Sequence, residues 1–177
     1  MGGTWSAAVD KGIITFNSLG FGVKLVPEKE KRSAQIVVKL SNGSETFEQN
    51  GDSIVVNFPA NEMHGRAHTL HHPKRKEIYF AAVFLPGKVQ NVTPKQKEVM
   101  VVHELIHACG LDGELPGGGK DPKGDHDSVG IMFPNMMVVG DGLIEYLHDK
   151  GAQPMTPIRV GPQTMCKMRM LWAAESC

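Results

Sequence analysis

Five consecutive residues, His103-Glu104-Leu105-Ile106-His107, have side chains that could work together on one reaction. Helix positions four apart lie one turn apart on the same face, so His103 and His107 offer two imidazoles to one point. Two imidazoles at that spacing can share a metal ion. Zinc suits them: it accepts imidazole nitrogen, and a catalytic zinc takes three protein ligands and keeps one position open for water. Glu104, beside the first histidine, can take a proton from that water. The reading holds only if the segment is a helix.

The flanking residues say that it is. Thr93-Pro94-Lys95-Gln96 reads as a helix start, with Thr93 at the N-cap, Pro94 at the first helical position and Gln96 where a capping box needs Glu or Gln. Val99, Met100, Val101, Val102, Leu105, Ile106, Ala108 and Cys109 make the helix apolar nearly all round, which predicts burial. Gly110 falls where a left-handed residue ends a helix. The expected span is about 94–109.

Strand-like runs precede this helix. Gly12-Ile13-Ile14-Thr15-Phe16 and the stretches 34–40, 53–58 and 77–85 are rich in β-branched and aromatic residues. Ser41-Asn42-Gly43 and Asn50-Gly51-Asp52 carry hairpin-type turn chemistry. A short helix is expected near Trp5, and the charged stretch 28–33 reads as a solvated turn. After the helix the texture changes. Residues 113–125 form a Gly/Pro-rich loop without periodicity. Ser128-Val129-Gly130-Ile131-Met132-Phe133-Pro134 and an irregular stretch follow. Residues 162–174 read as a last helix with Met165, Met168, Leu171 and Trp172 on one face. There is no internal repeat.

The chain has 177 residues, which suits one domain, 1–177. A sheet-bearing upper part, 1–110, and a looser lower part, 111–177, would leave a cleft between them. Lys+Arg and Asp+Glu are both 19, a balance that gives no sign of nucleic acid or an anionic membrane as partner. No apolar run is long enough to span a membrane. The start, Met1-Gly2-Gly3-Thr4-Trp5, lacks the charged-then-apolar pattern of a signal peptide, so the chain is expected to be cytoplasmic, exported by another route, or a trimmed mature form. Cys109, Cys166 and Cys177 are an odd count and not a disulfide framework. Cys109 reads as a small core residue. Cys166 and Cys177 can pair only if the C-terminus folds back.

His103-Glu-Leu-Ile-His107-Ala-Cys-Gly110-Leu-Asp, followed by Ile131-Met132-Phe133-Pro134, resembles the metzincin metallopeptidases, and their matrixin branch most of all. That family has H-E-x-x-H-x-x-G-x-x-H and then a Met-turn. Gly110 matches the glycine that turns the chain back toward the metal, and Met132 the Met beneath it. Gly65-Arg66-Ala67-His68-Thr69 and Ile78-Tyr79-Phe80 resemble the strands before the family's active-site helix. The likeness runs loosely over residues 60–172 and specifically over 93–134. It implies an α+β, metzincin-like catalytic domain: a mixed sheet, a buried active-site helix and a small irregular lower subdomain ending in a helix.

The family's third histidine would fall at position 113, which here is Gly113, with no side chain to offer. Omitting 113–125 joins Gly110-Leu111-Asp112 to His126-Asp127-Ser128-Val129 and restores the matrixin pattern. Residues 113–125 then read as an insertion, and the cost of closing such a loop grows only slowly with length. The implied ligands of Zn2+ are His103, His107 and His126, with Glu104 as general base. The implied activity is hydrolysis of peptide bonds in a peptide or protein substrate. The strand near 77–85, through Tyr79 and Ala81, would bind substrate by main-chain hydrogen bonds. Pro134, Asn135 and Met136 would wall the side-chain pocket.

Two alternatives stay open on the residues. Glu145 could be the third ligand, giving a different class of H-E-x-x-H enzyme. A fourth protein ligand, Asp112 or Glu145, would close the site and make a non-catalytic, zinc-stabilised domain. His68 matches a family position for a structural zinc, but Tyr79 stands at another, and His64, His71 and His72 read as surface or lightly packed. Asp121, Asp125 and Asp127 do not follow the order of a calcium-binding loop.

Overall fold

The computed structural model describes residues 3–30, 32–49, 51–57, 65–72, 77–88, 92–111, 114–115, 119–120, 131–132, 158–160 and 162–176. These form helix α1 (Gly3–Ser18), strands β1 (Ile36–Ser41), β2 (Ser44–Gln49), β3 (Asp52–Asn57), β4 (Arg66–His71) and β5 (Ile78–Pro86), and helix α2 (Pro94–Ala108). Four two-residue strands follow, β6 (Glu114–Leu115), β7 (Gly119–Lys120), β8 (Ile131–Met132) and β9 (Arg159–Val160), and then helix α3 (Pro162–Trp172). The class is mixed α+β.

β5 organises the fold. It lies at the centre of a three-stranded sheet, parallel to β1 and antiparallel to β4, with Ala81 opposite both Ile36 and Thr69. Successive strand residues point to opposite faces. Ala81, Val83 and Leu85 enter the core built with Trp5, Ala8, Phe16, Val99 and Leu105 of the helices. Phe80, Ala82 and Phe84 pack the other way, onto Phe47, Ile54 and Val56 of the β2–β3 hairpin. Phe47 stacks on Phe80 with ring centres 5.7 Å apart and meets Phe84 edge-on. A strand covered on both faces needs an unbroken apolar run, which is what Ile78–Leu85 provides.

The strand expected at Gly12–Phe16 is instead the second half of α1. Its β-branched residues favour a strand locally, but Trp5, Ala8, Val9, Gly12 and Phe16 recur at helical spacing, and the four with side chains are buried. Gly12 lets α1 approach α2 closely, since a β-carbon there would lie 2.4 Å from Val101 Cγ1. The same contact accommodates charge. Buried Glu98 accepts from Thr15 Oγ1 at 2.6 Å and pairs with Lys95 Nζ at 3.0 Å, and Lys97 Nζ sits 5.2 Å from the centre of the Trp5 ring.

Other expectations meet mixed outcomes. The expected hairpin after β2 does form, with β2 antiparallel to β3, but Ser41-Asn42-Gly43 joins strands that pair elsewhere, β1 with β5 and β2 with β3. The stretch 113–125 contains a small ladder, with Glu114 opposite Lys120 and Leu115 opposite Gly119. Cys109 is buried and free, and burial pushes its thiol up to about 12. Cys166 is disulfide-bonded. Met168 of α3 is fully buried, whereas Leu171 and Trp172 are largely exposed. Among the described residues no helix is long and apolar enough to cross a membrane.

Candidate metal centre

α2 starts as its sequence dictates. Thr93 Oγ1 accepts from the Gln96 N–H at 3.2 Å, and the Gln96 side chain accepts from the Thr93 N–H at 2.8 Å. This reciprocal pair satisfies two of the N–H groups a helix start would leave open. The helix then runs through the core, with Val99, Val101 and Val102 fully buried. One face reaches the surface of the core, and it carries His103 and His107, both partly exposed.

The two rings converge. Their Nε2 atoms lie 3.0 Å apart, with ring centres 4.6 Å apart and planes at 76°. Two imidazole nitrogens bound to one tetrahedral zinc lie about 3.3 Å apart. The pair is therefore within a few tenths of an ångström of that spacing before any ion arrives. His107 is also oriented from behind, because its Nδ1 hydrogen-bonds the Leu111 carbonyl. A carbonyl only accepts, so Nδ1 bears a proton, and in the neutral ring the lone pair is on Nε2. In the neutral pair, His103 Nε2–H is then the donor to His107 Nε2. A metal ion would displace that one proton.

The turn after α2 makes this arrangement possible. Cys109 caps the helix, and its N–H is shared between the carbonyls of Leu105 and Ile106. Gly110 has φ +116°, a conformation L side chains rarely adopt, and its N–H returns to the His107 carbonyl at 2.9 Å. The chain doubles back, and the Leu111 carbonyl ends beneath the His107 ring. The expected helix stop at Gly110 thus also supplies the partner that sets the ring. A main-chain carbonyl has no signature in sequence. Only the left-handed glycine three residues after His107 hinted at it.

Glu104 is 4 % exposed and belongs to the same helix turn. Burial raises its pKa from 4.5 to about 7, against the opposing pull of His107, Arg66 and a hydrogen bond donated by the Ala67 N–H. A carboxyl that titrates near neutrality can both accept and return a proton. β4 holds it from the other side. Gly65 lies so close that a β-carbon would be 2.4 Å from Glu104 Cγ. Gly65 and Ala67 belong to the segment singled out before the helix, but their role against Glu104 could not be read from their side chains.

The remaining expected residues divide. His126, Asp112, Glu145, Pro134, Asn135, Met136 and His64 lie outside the described residues. Met132 enters the short β8–β9 ladder opposite Arg159. Strand addition at β5, expected through Tyr79 and Ala81, is corrected by the topology. β5 is paired along both edges, Ala81 is fully buried and its N–H donates to the Gln35 carbonyl. The strand beside Glu104 is β4. On that strand His68 packs edge-on against Phe84, and burial, then Arg66, lowers its pKa. His71 Nε2 lies 3.0 Å from Thr69 Oγ1. Among the described residues no third His, Cys, Asp or Glu joins any pair into a metal-binding group. The chain matches no protein-family model, no curated protein and no solved structure.

Proposed function

We propose that the chain is a zinc-dependent endopeptidase of the metzincin type. The observation that carries this is the convergence of His103 and His107 Nε2 at 3.0 Å, one turn apart, with buried Glu104 between them in sequence. The donor set fits the ion: two imidazoles converge on one point, and the Leu111 carbonyl engages Nδ1 of His107, which leaves its Nε2 for a metal. His126 completes the set by the sequence argument. Zinc, when bound, would supply Lewis-acid polarisation of water and of the peptide carbonyl.

The other steps belong to the protein. Glu104, with a pKa near 7, takes the proton of the attacking water and returns it to the leaving amine. The Ala67 N–H and Gly65 fix the position of its carboxylate. The substrate peptide lies beside β4, the strand that packs against Glu104, and the sequence argument assigns its side-chain pocket to Pro134, Asn135 and Met136. An acid this buried gains nothing for a purely structural site, which needs no base, and this favours a catalytic reading over a zinc-stabilised binding domain.

Metal analysis and peptide cleavage test the proposal. Protein purified without chelator should carry about one zinc per chain and cleave a peptide library, losing both with chelator and regaining both with zinc. Folded protein that takes up no zinc would end the reading.

A further inference from the structure

The turn that orients His107 is itself held from outside, by the last helix. Trp172 Nε1–H donates to the Cys109 carbonyl at 2.8 Å, across 63 positions of sequence. Cys109 is the cap of α2, and the carbonyls at a helix end have no partner within the helix. The next residue, Gly110, is the left-handed one, and Leu171 Cδ1 approaches it to within 3.3 Å of where a β-carbon would stand. α3 thus touches the turn twice, by a hydrogen bond and by an apolar side chain.

α3 is anchored well enough to act as a strut. Met168 and Thr164 are buried. Arg169 Nε donates to the Gly20 carbonyl at 3.1 Å, and Gly22, with φ +88°, lets the chain pass so near Ala173 that a β-carbon would lie 2.6 Å from Ala173 Cβ. One side of α3 is therefore fixed to the segment leaving α1, and Trp172 reaches from it to the segment leaving α2. Trp172 is 44 % exposed, so its hydrogen bond, and not its share of the core, is its chief structural contribution.

We propose that Trp172 is a positioning residue for the metal. Its indole N–H fixes the Cys109 carbonyl and with it the plane of the peptide entering Gly110. That sets where the Leu111 carbonyl lands, and so the orientation and tautomer of the His107 ring. The claim rests on the reading of His103 and His107 as ligands, and it adds a residue at the far end of the chain to what the ion depends on. Partners behind a ligating histidine typically contribute 10- to 100-fold in metal affinity.

Trp172→Phe in the full chain removes the N–H and keeps a ring. The expected result is a zinc dissociation constant raised about tenfold, measured by competition with a chromophoric chelator. In the metal-free protein the imidazole nitrogen NMR shifts of His107 should move from the Nδ1–H form toward a mixture of tautomers. The unfolding temperature should fall by only a few degrees, as for one lost hydrogen bond. Unchanged zinc affinity, or a His107 ring still held in the Nδ1–H form, overturns the proposal.

A second arm leaves Trp172 intact. Trp5 and Trp172 are the two tryptophans, so Trp5→Phe makes Trp172 the sole emitter. Its fluorescence should shift with the same midpoint as zinc uptake, and an emission indifferent to zinc overturns the proposal. A parent protein that takes up no zinc would sink the metal reading instead, and the His107 ring measurement would still decide the part played by Trp172.

Discussion

Gly65 and Glu104 occupy one another's space: a β-carbon on Gly65 would lie 2.4 Å from Glu104 Cγ and 2.9 Å from Oε1. Gly65 has no left-handed φ that demands glycine, so what excludes a side chain there is the space taken by Glu104. Glu104 is buried, and its side chain cannot swing aside into water. The start of β4 and the middle of α2 are thereby packed so that the carboxylate has one place to be.

Gly65→Ala should therefore displace Glu104 without touching either histidine. Overpacking of this kind costs about 1–3 kcal/mol of stability. A base moved by about 1 Å should slow hydrolysis on the order of a hundredfold. Zinc content should stay that of the parent. Thermal unfolding, metal analysis and peptide cleavage on one preparation check all three, and an alanine variant as active as the parent would show that β4 does not set the base.

Glu104→Gln separates proton transfer from ligation. Hydrolysis should fall on the order of a hundredfold or more, with zinc still bound. The metal-free protein offers a second readout. A carboxyl whose pKa rises from 4.5 to about 7 on folding binds more protons folded than unfolded between those values. Its contribution to stability is thus lost as pH rises from about 4.5 to about 7, and stays lost above that. The full loss is on the order of 3 kcal/mol. Glutamine carries no such penalty, so the unfolding temperature of Glu104→Gln should gain on the parent as pH rises from about 4.5 to about 7, and hold that gain above it. Parallel curves across that window would mean that the carboxylate is better solvated than its burial implies.

The third ligand can be decided by a ranking. His126→Ala should weaken zinc binding far more than Glu145→Ala, since two imidazoles alone make a poor site. Competition with a chelator measures both. The reverse order would move the chain to the H-E-x-x-H class with a glutamate on a later helix.

The sequence carries the start and the stop of α2 because those depend on short-range chemistry: Thr93 with Gln96 at one end, Gly110 at the other. His103, Glu104 and His107 are legible for the same reason, as one helix turn fixes their relation. The second half of α1 is not, because Ile13, Ile14 and Thr15 favour a strand locally, while the packing of Gly12 on Val101 is a long-range contact. The central place of β5 was hidden too. Its apolar run is compatible with any buried strand, and only its pairing with β1 and β4 shows that its edges are taken. Beyond His103, Glu104 and His107 themselves, the arrangement depends on the Leu111 carbonyl, the Ala67 N–H and the missing side chain of Gly65. Main-chain groups and absent atoms leave no trace in residue type.

The segment 113–125 should be dispensable for zinc binding. Within it Glu114–Leu115 pairs with Gly119–Lys120, so part of this segment makes its hydrogen bonds to itself. Removing both strands of that ladder together leaves neither without its partner. Deleting 113–125, so that Asp112 joins His126, also restores the spacing Gly110-Leu-Asp-His at which a third histidine follows the turn. The shortened protein should unfold cooperatively, bind about one zinc and keep at least part of the cleavage activity. A changed peptide preference would not count against this, since loops often shape what a site accepts. A shortened protein that folds and cannot hold zinc would show either that 113–125 is needed to place His126 or that His126 is not a ligand. The ranking of His126→Ala against Glu145→Ala then separates those two outcomes.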